Sequence, residues 1–194
     1  MPFSTLTVSA LLDAFASPDP TPGGGTASAI AGAMGTSLLM MVAGLSKSRT
    51  NADAEKAALA ESRRVLATLR ARFERLADDD AAAFDAVMAA YRLPRGTDEE
   101  KAARKAAIAR ALKGATEVPL ETCRAAADAL VQARIVEAAG NPSAASDVTV
   151  AITLLRTAAA GGAENVRINL DGIGDEAYRA QVSGELERLL GVDE

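Results

Sequence analysis

The chain has no histidine, no tryptophan and one cysteine, and only 3% of its 194 residues are aromatic. Without histidine there is no imidazole base, no Ser–His or Cys–His pair and no HExxH zinc site, so proton transfer falls to Asp, Glu, Lys, Tyr or Cys123. A single cysteine closes no disulfide within the chain and has no Cys or His with which to hold zinc. A reducing, cytoplasmic setting is therefore expected, with no resident metal. Strand formers are sparse, whereas 45 residues are alanine, which favours helix over sheet. Lys plus Arg is 21 against 26 for Asp plus Glu, and the net charge of −5 repels phosphate backbones and anionic headgroups. Neither nucleic acid nor a membrane is expected as a partner. No apolar run reaches the ~18 uninterrupted residues of a spanning helix, since residues 30–42 are broken by Gly and Thr. The N-terminus also lacks the basic region and cleavage site of a signal peptide. What remains is an all-α domain spanning residues 1–194, large enough to bury a core.

The helices can be placed from their breaks. Val8, Leu11, Leu12 and Phe15 mark a first helix, which Ser17-Pro18-Asp19-Pro20-Thr21-Pro22 and three glycines end. Residues 26–45 form a helix of Ala, Gly, Ser, Thr and Met, with Gly32, Gly35 and Gly44 where another backbone can come close. Asn51 or Asp53 opens a long helix to about Arg92, with a buried stripe at Leu59, Leu66, Leu69, Phe73, Leu76, Phe84, Val87 and Tyr91. Thr97-Asp98-Glu99-Glu100 has the form of a capping box that starts the next helix, expected to bend at Pro119 and to end at Gly140. Asn141-Pro142 opens another helix, which Gly161-Gly162 should bend or close near Ala160. Residues 165–170 are ambiguous between extended and helical. Asp171-Gly172-Ile173-Gly174 is a turn before a last amphipathic helix over residues 175–190. Two helices exceed the usual length, which predicts an elongated antiparallel bundle that uses a second copy to cover its apolar faces.

Asp80 falls in the one gap of the buried stripe. An ionised carboxylate on an apolar face is costly unless it is paired, hydrogen-bonded or set in a cavity. The alternative is that the stripe drifts and Asp78, Asp79 and Asp80 form one solvated acidic face. Asp147 lies one turn before Ala151 and Leu154, near Asn141, Ser143 and Ser146, where polar side chains and free helix amides converge; plain capping is the alternative there. Pro22, Gly23, Gly24 and Gly25 bring backbone amides to a helix N-terminus that can face a ligand, or they are a mere connector. No Gly-Lys-Ser/Thr follows, so the turn is not a P-loop. Lys47 and Arg49 can hold an acidic ligand tail or complement the helix dipole. Cys123, Phe84 and Tyr91 read as core.

Together these segments resemble the cyclodeaminase/cyclohydrolase family, the tetrahydrofolate-processing domain also found at the C-terminal end of formiminotransferase-cyclodeaminase. Pro20-Thr21-Pro22-Gly23-Gly24-Gly25-Thr26 is similar to its PTPGGG-(S/T) signature, and Asp78-Asp79-Asp80, Ala83-Phe84 and Tyr91-Arg92-Leu93-Pro94 to its D-x-D…AF…RLP block. Gly140-Asn141, Ser146-Asp147 and Val150-Ala151 resemble its GN…SD…VA block, and Asn165-Val166 with Ile168-Asn169-Leu170 its NV-x-INL segment. Where the family often shows Gly and two basic residues, this chain has Ser48, Arg49 and Thr50.

The resemblance implies an all-helical homodimer acting on a one-carbon unit carried by tetrahydrofolate, with the folate derivative as substrate and no permanently bound cofactor. It implies hydrolysis of 5,10-methenyltetrahydrofolate to 10-formyltetrahydrofolate, or else cyclisation of the formimino form with loss of ammonia. A helical folate-binding or scaffold module without chemistry is the reading from another class. On the catalytic reading, Asp80 and Asp147 share the base and acid roles. Pro22, Gly23, Gly24, Gly25, Asn141 and Ser146 hold the substrate, and Lys47 and Arg49 its acidic tail.

Overall fold

The computed structural model describes residues 2–191, and among them every regular element is helical. A 3₁₀ turn at Phe3–Thr5 precedes α1 (Val8–Ala16), α2 (Gly24–Ala43), α3 (Asp53–Tyr91) and α4 (Asp98–Ala139). A second 3₁₀ turn at Pro142–Ala144 leads into α5 (Ala145–Leu170), and α6 (Glu176–Leu190) follows. The all-α expectation holds, and at 1.5 Å per residue α3 and α4 are each about 60 Å long, so the bundle is elongated.

Local chemistry sets the ends. Thr97 and Glu100 form the expected capping box at the start of α4. Asp175 caps α6 by accepting from the Tyr178 amide. Between α2 and α3, Glu55 accepts from the Ser48 hydroxyl and the Thr50 amide, tightening a loop in which Asn51 takes φ 64°. Asparagine tolerates that left-handed geometry because its short amide can bond locally.

Helices α2 to α5 run alternately up and down as a four-helix bundle in which α2 packs between α3 and α5. Gly25 lies against Asp80, Gly32 against Phe73 and Gly44 against Arg63, which fixes α2 antiparallel to α3. Gly35 lies against Ala151 and Gly161 against Ser28, which fixes α5 antiparallel to α2. Gly32, Gly35 and, at the C-cap of α2, Gly44 thus serve close packing as expected. The main core fills this four-helix centre, with Leu39, Leu66, Phe73, Val136 and Leu155 fully enclosed. A second core of Leu112, Leu120, Val166, Leu170, Ile173, Val182 and Leu186 seats α6 and the turn before it.

Two expectations are corrected. Gly161 and Gly162 do not end α5, which continues helical through the ambiguous segment to Leu170. These glycines are there for contact: a Cβ at Gly162 would stand 2.8 Å from Cys123 Sγ and 3.0 Å from the Pro119 carbonyl. Tyr91 is not core but 45% exposed, with the Arg104 guanidinium over its ring, and Phe84 is only half-buried. Both lie beyond Asp80, past the point where α2 begins and can cover α3. By length and composition α2 is apolar enough to cross a membrane, with a mean hydropathy of 1.5, although no uninterrupted apolar run spans it. Many of its residues are small Ala, Gly and Thr rather than members of a continuous apolar run, and 56% of this stretch is buried inside the protein.

Candidate active site

The glycine turn leaves α2 without a cap of its own. Gly23 occupies the N-cap position, just after the cis Thr21–Pro22 peptide, and has no side chain to offer the first free amides. Asp80 supplies the acceptor from α3. Its Oδ2 accepts from the Thr26 amide at 2.8 Å and from the Thr26 hydroxyl at 3.0 Å. The same hydroxyl lies 3.3 Å from the carbonyl of Ala77, one turn earlier on α3. Gly25 is buried directly against the carboxylate, and a Cβ there would fall on Asp80 Oδ1 and Cγ. A residue with a side chain would push Asp80 away.

The three consecutive aspartates therefore do three different things, which removes the reading of them as one solvated face. Asp78 accepts from the Phe3 amide at 2.8 Å, Asp79 is exposed, and Asp80 is half-buried against the first turn of α2. Burial lifts the Asp80 carboxyl above its ordinary value, against the opposing pull of the Thr26 hydroxyl and amide. A half-buried carboxyl lifted in this way, with one oxygen outside the bonds to Thr26, is chemically equipped to take up and return a proton.

The second group of sequence candidates lies at the other end of α2. Asn141 Oδ1 accepts from the Ser143 amide at 3.0 Å and so caps the 3₁₀ turn ahead of α5, and Ser146 is exposed. The Arg49 guanidinium donates to the carbonyls of Ala138 at 2.7 Å and Glu137 at 2.8 Å, and the Arg49 amide to Ala139. It is thus spent on the carbonyl end of α4. Lys47 is exposed. Asp147, half-buried, sits one turn before the Ala151 carbonyl that meets Gly35, whereas Asp80 meets Gly25. At 1.5 Å per residue along α2 the two carboxylates are about 20 Å apart within one chain. The expectation that Asp80 and Asp147 share one site is corrected for the single chain: they stand at opposite ends of the same helix.

Two polar residues that carry no role in the sequence motifs, Ser28 and Asn165, flank the first turn of α2 on its α5 side. Ser28 donates to the Gly24 carbonyl at 2.7 Å, and Asn165 Nδ2 donates to the Gly161 carbonyl at 2.8 Å while lying against Gly24. Ser28 also borders a cavity of about 520 Å³ on the α5 side of α2, lined with it by Ala27, Gly161, Glu164 and Arg167 and not by Asp80. The sequence signal for Thr26 is a hydroxyl in the first turn of a helix whose cap position is glycine. Cys123 is buried as expected, donates to the Ala159 carbonyl at 3.4 Å, and is pushed up to about 11 by that burial, which leaves it no thiolate near neutral pH.

A family model described as formiminotransferase-cyclodeaminase matches residues 7–188. The chain is 43% identical over 184 residues to a methenyltetrahydrofolate cyclohydrolase of Methylorubrum extorquens, covering 95% of this chain and 88% of that one. It is 33% identical over 169 residues to a formimidoyltransferase-cyclodeaminase of Sus scrofa, covering 87% of this chain and 31% of that longer protein. The solved structure of a formiminotetrahydrofolate cyclodeaminase from Thermotoga maritima superposes with a TM-score of 0.87 at 28% identity, covering 97% of this chain and 90% of that one.

Proposed function

The chain belongs to the formiminotransferase-cyclodeaminase family, and from that membership we propose that it hydrolyses 5,10-methenyltetrahydrofolate to 10-formyltetrahydrofolate. The observation that carries the chemistry is Asp80, half-buried, lifted by burial and held at the glycine turn by Thr26. Water adds to the cationic carbon between the two nitrogens and gives a proton to Asp80 as the C–O bond forms. The C–N bond to the ring nitrogen then breaks, and that nitrogen takes a proton back from Asp80. The remaining hydroxyl proton leaves as the formyl C=O forms, so one water is consumed and one proton released. A carboxylate beside the site also steadies the substrate cation.

A second reading, cyclisation of the formimino form with release of ammonia, is supported by the similar fold of the Thermotoga maritima cyclodeaminase. It passes through the same kind of tetrahedral carbon and asks for the same proton carrier. The protein acts, on this proposal, as a homodimer in the cytoplasm. Apolar side chains exposed on α2 and α5, among them Met34, Met41 and Val150, supply a face for a second copy. Asp147 enters the chemistry only across such a dimer, because no single chain brings it to Asp80.

The deciding experiment mixes the purified protein with each folate and follows the methenyl chromophore. Accelerated loss from the methenyl form is the expected result. Appearance of the chromophore from the formimino form, with ammonia, establishes the second reading, and no change in either leaves a folate-binding module without chemistry.

A further inference from the structure

We propose that Thr26 is the positioning residue of Asp80, its amide and hydroxyl together fixing one carboxylate oxygen so that the other exchanges protons with substrate. The proposal rests on the function assigned above and deepens it. Both bonds go to Oδ2, at 2.8 Å from the amide and 3.0 Å from the hydroxyl, and Gly25 keeps the remaining oxygen free of any Cβ. Two donors from one residue define the plane of the carboxylate, and Thr26, fully buried, is itself held by the α2 backbone.

The hydroxyl does a second thing that the amide cannot. A threonine hydroxyl has one proton, and here it has two acceptors, Asp80 Oδ2 at 3.0 Å and the Ala77 carbonyl at 3.3 Å. While Asp80 is ionised, the proton is best placed on Oδ2, where the bond is charge-assisted. When Asp80 takes up a proton from water, Oδ2 becomes a weaker acceptor, and rotation about one C–O bond gives the hydroxyl proton to Ala77 instead. Neither state leaves a buried polar group unpaired. A carboxyl that is base in one step and acid in the next needs that tolerance, because an unmatched buried group in either state would add to one of the two barriers. Among the described residues, burial and Thr26 set the direction of the Asp80 shift and no charged neighbour contributes; Asp79 on the same helix is exposed, and the first turn of α2 carries no charge.

The test compares the wild type with Thr26→Val, which keeps shape and amide, and Thr26→Ser, which keeps the hydroxyl. Loss of the methenyl chromophore is followed against pH, and the Asp80 carboxyl is titrated by carbon NMR without substrate. Thr26→Val is expected to lower kcat about tenfold and to move the acid limb of kcat up by about one pH unit, since a bond favouring the ionised form is gone. Its Asp80 carboxyl should titrate higher by the same amount, and Thr26→Ser should restore both. An acid limb and a carboxyl titration unmoved in Thr26→Val would overturn the proposal. Should Thr26→Val fail to fold, the wild-type Thr26 amide resonance decides: it should shift with the midpoint of the Asp80 carboxyl, and a flat response refutes the bond. The NMR arms need no turnover, so a protein inactive on both folates, with Asp80 titrating as described, sinks the assigned function and leaves the Thr26–Asp80 linkage standing.

Discussion

Replacing Asp80 by Asn separates chemistry from stability, because the two depend on opposite features of the same group. Asparagine keeps an oxygen for the Thr26 amide but cannot carry a proton, so turnover should fall by about 10²–10⁴-fold. Stability should not fall with it. The folded carboxyl titrates above its unfolded value, so its contribution is fully present below the unfolded pKa and is lost as pH rises through the folded one. At neutral pH the ionised Asp80 is thus a liability, and Asp80→Asn should melt no lower than the wild type, with any advantage disappearing on acidification. Thermal melts at neutral and mildly acidic pH, beside the chromophore assay, check both halves; a variant that melts well below the wild type at neutral pH would make Asp80 chiefly a helix cap. That Asp80 is special was legible in the sequence, as a break in an apolar stripe. Its partner was not, because a cap delivered from another helix, 54 residues away, leaves no local pattern.

At the scale of elements, the structure separates two uses of glycine that helix propensity treats alike. Gly114 lies in α4 with open space where a Cβ would go, whereas Gly162 in α5 has Cys123 Sγ and the Pro119 carbonyl at 2.8 and 3.0 Å from that point. Alanine for glycine gains about 1 kcal/mol of helix propensity in either place, and overpacking costs about 1–3 kcal/mol in the second alone. Denaturant unfolding should therefore show Gly114→Ala stabilised by up to about 1 kcal/mol and Gly162→Ala destabilised by a similar amount. Equal effects from the two would mean that α4 and α5 are not in tight contact there. The same distinction explains where the reading of elements succeeded. Caps and breaks next to polar or proline residues, such as Thr97 with Glu100 and the Asn141-Pro142 step, are local and were placed correctly. The path of α5 through Gly161 and Gly162 depends on Ser28 and Cys123, which are remote in sequence, so the glycine pair alone reads as a bend or a close.

At the scale of the whole molecule, the position of α2 sets the problem that a second copy would solve. Its N-terminal end carries Asp80, Thr26 and the glycine turn; its C-terminal end carries Arg49, Asn141 and Asp147, about 20 Å away. Side chains at the two ends of one helix cannot act on one carbon atom, yet both ends belong to the motifs that first pointed to folate chemistry. An isologous dimer across α2 and α5 repeats every contact twice, and with its two-fold axis perpendicular to these helices it sets the end of one copy near the opposite end of the other. Sedimentation should then give about twice the chain mass of 19.9 kDa, and Met34→Asp with Val150→Asp should reduce it to the monomer. The sharper test uses two inactive variants. If Asp80 of one copy works with Asp147 of the other, mixed and reassociated Asp80→Asn and Asp147→Asn chains contain heterodimers with one intact site each. Random pairing then restores about a quarter of wild-type turnover. If Asp147→Asn is fully active alone, or if the mixture stays as inactive as its parts, Asp147 has no place in the chemistry and Asp80 works without it.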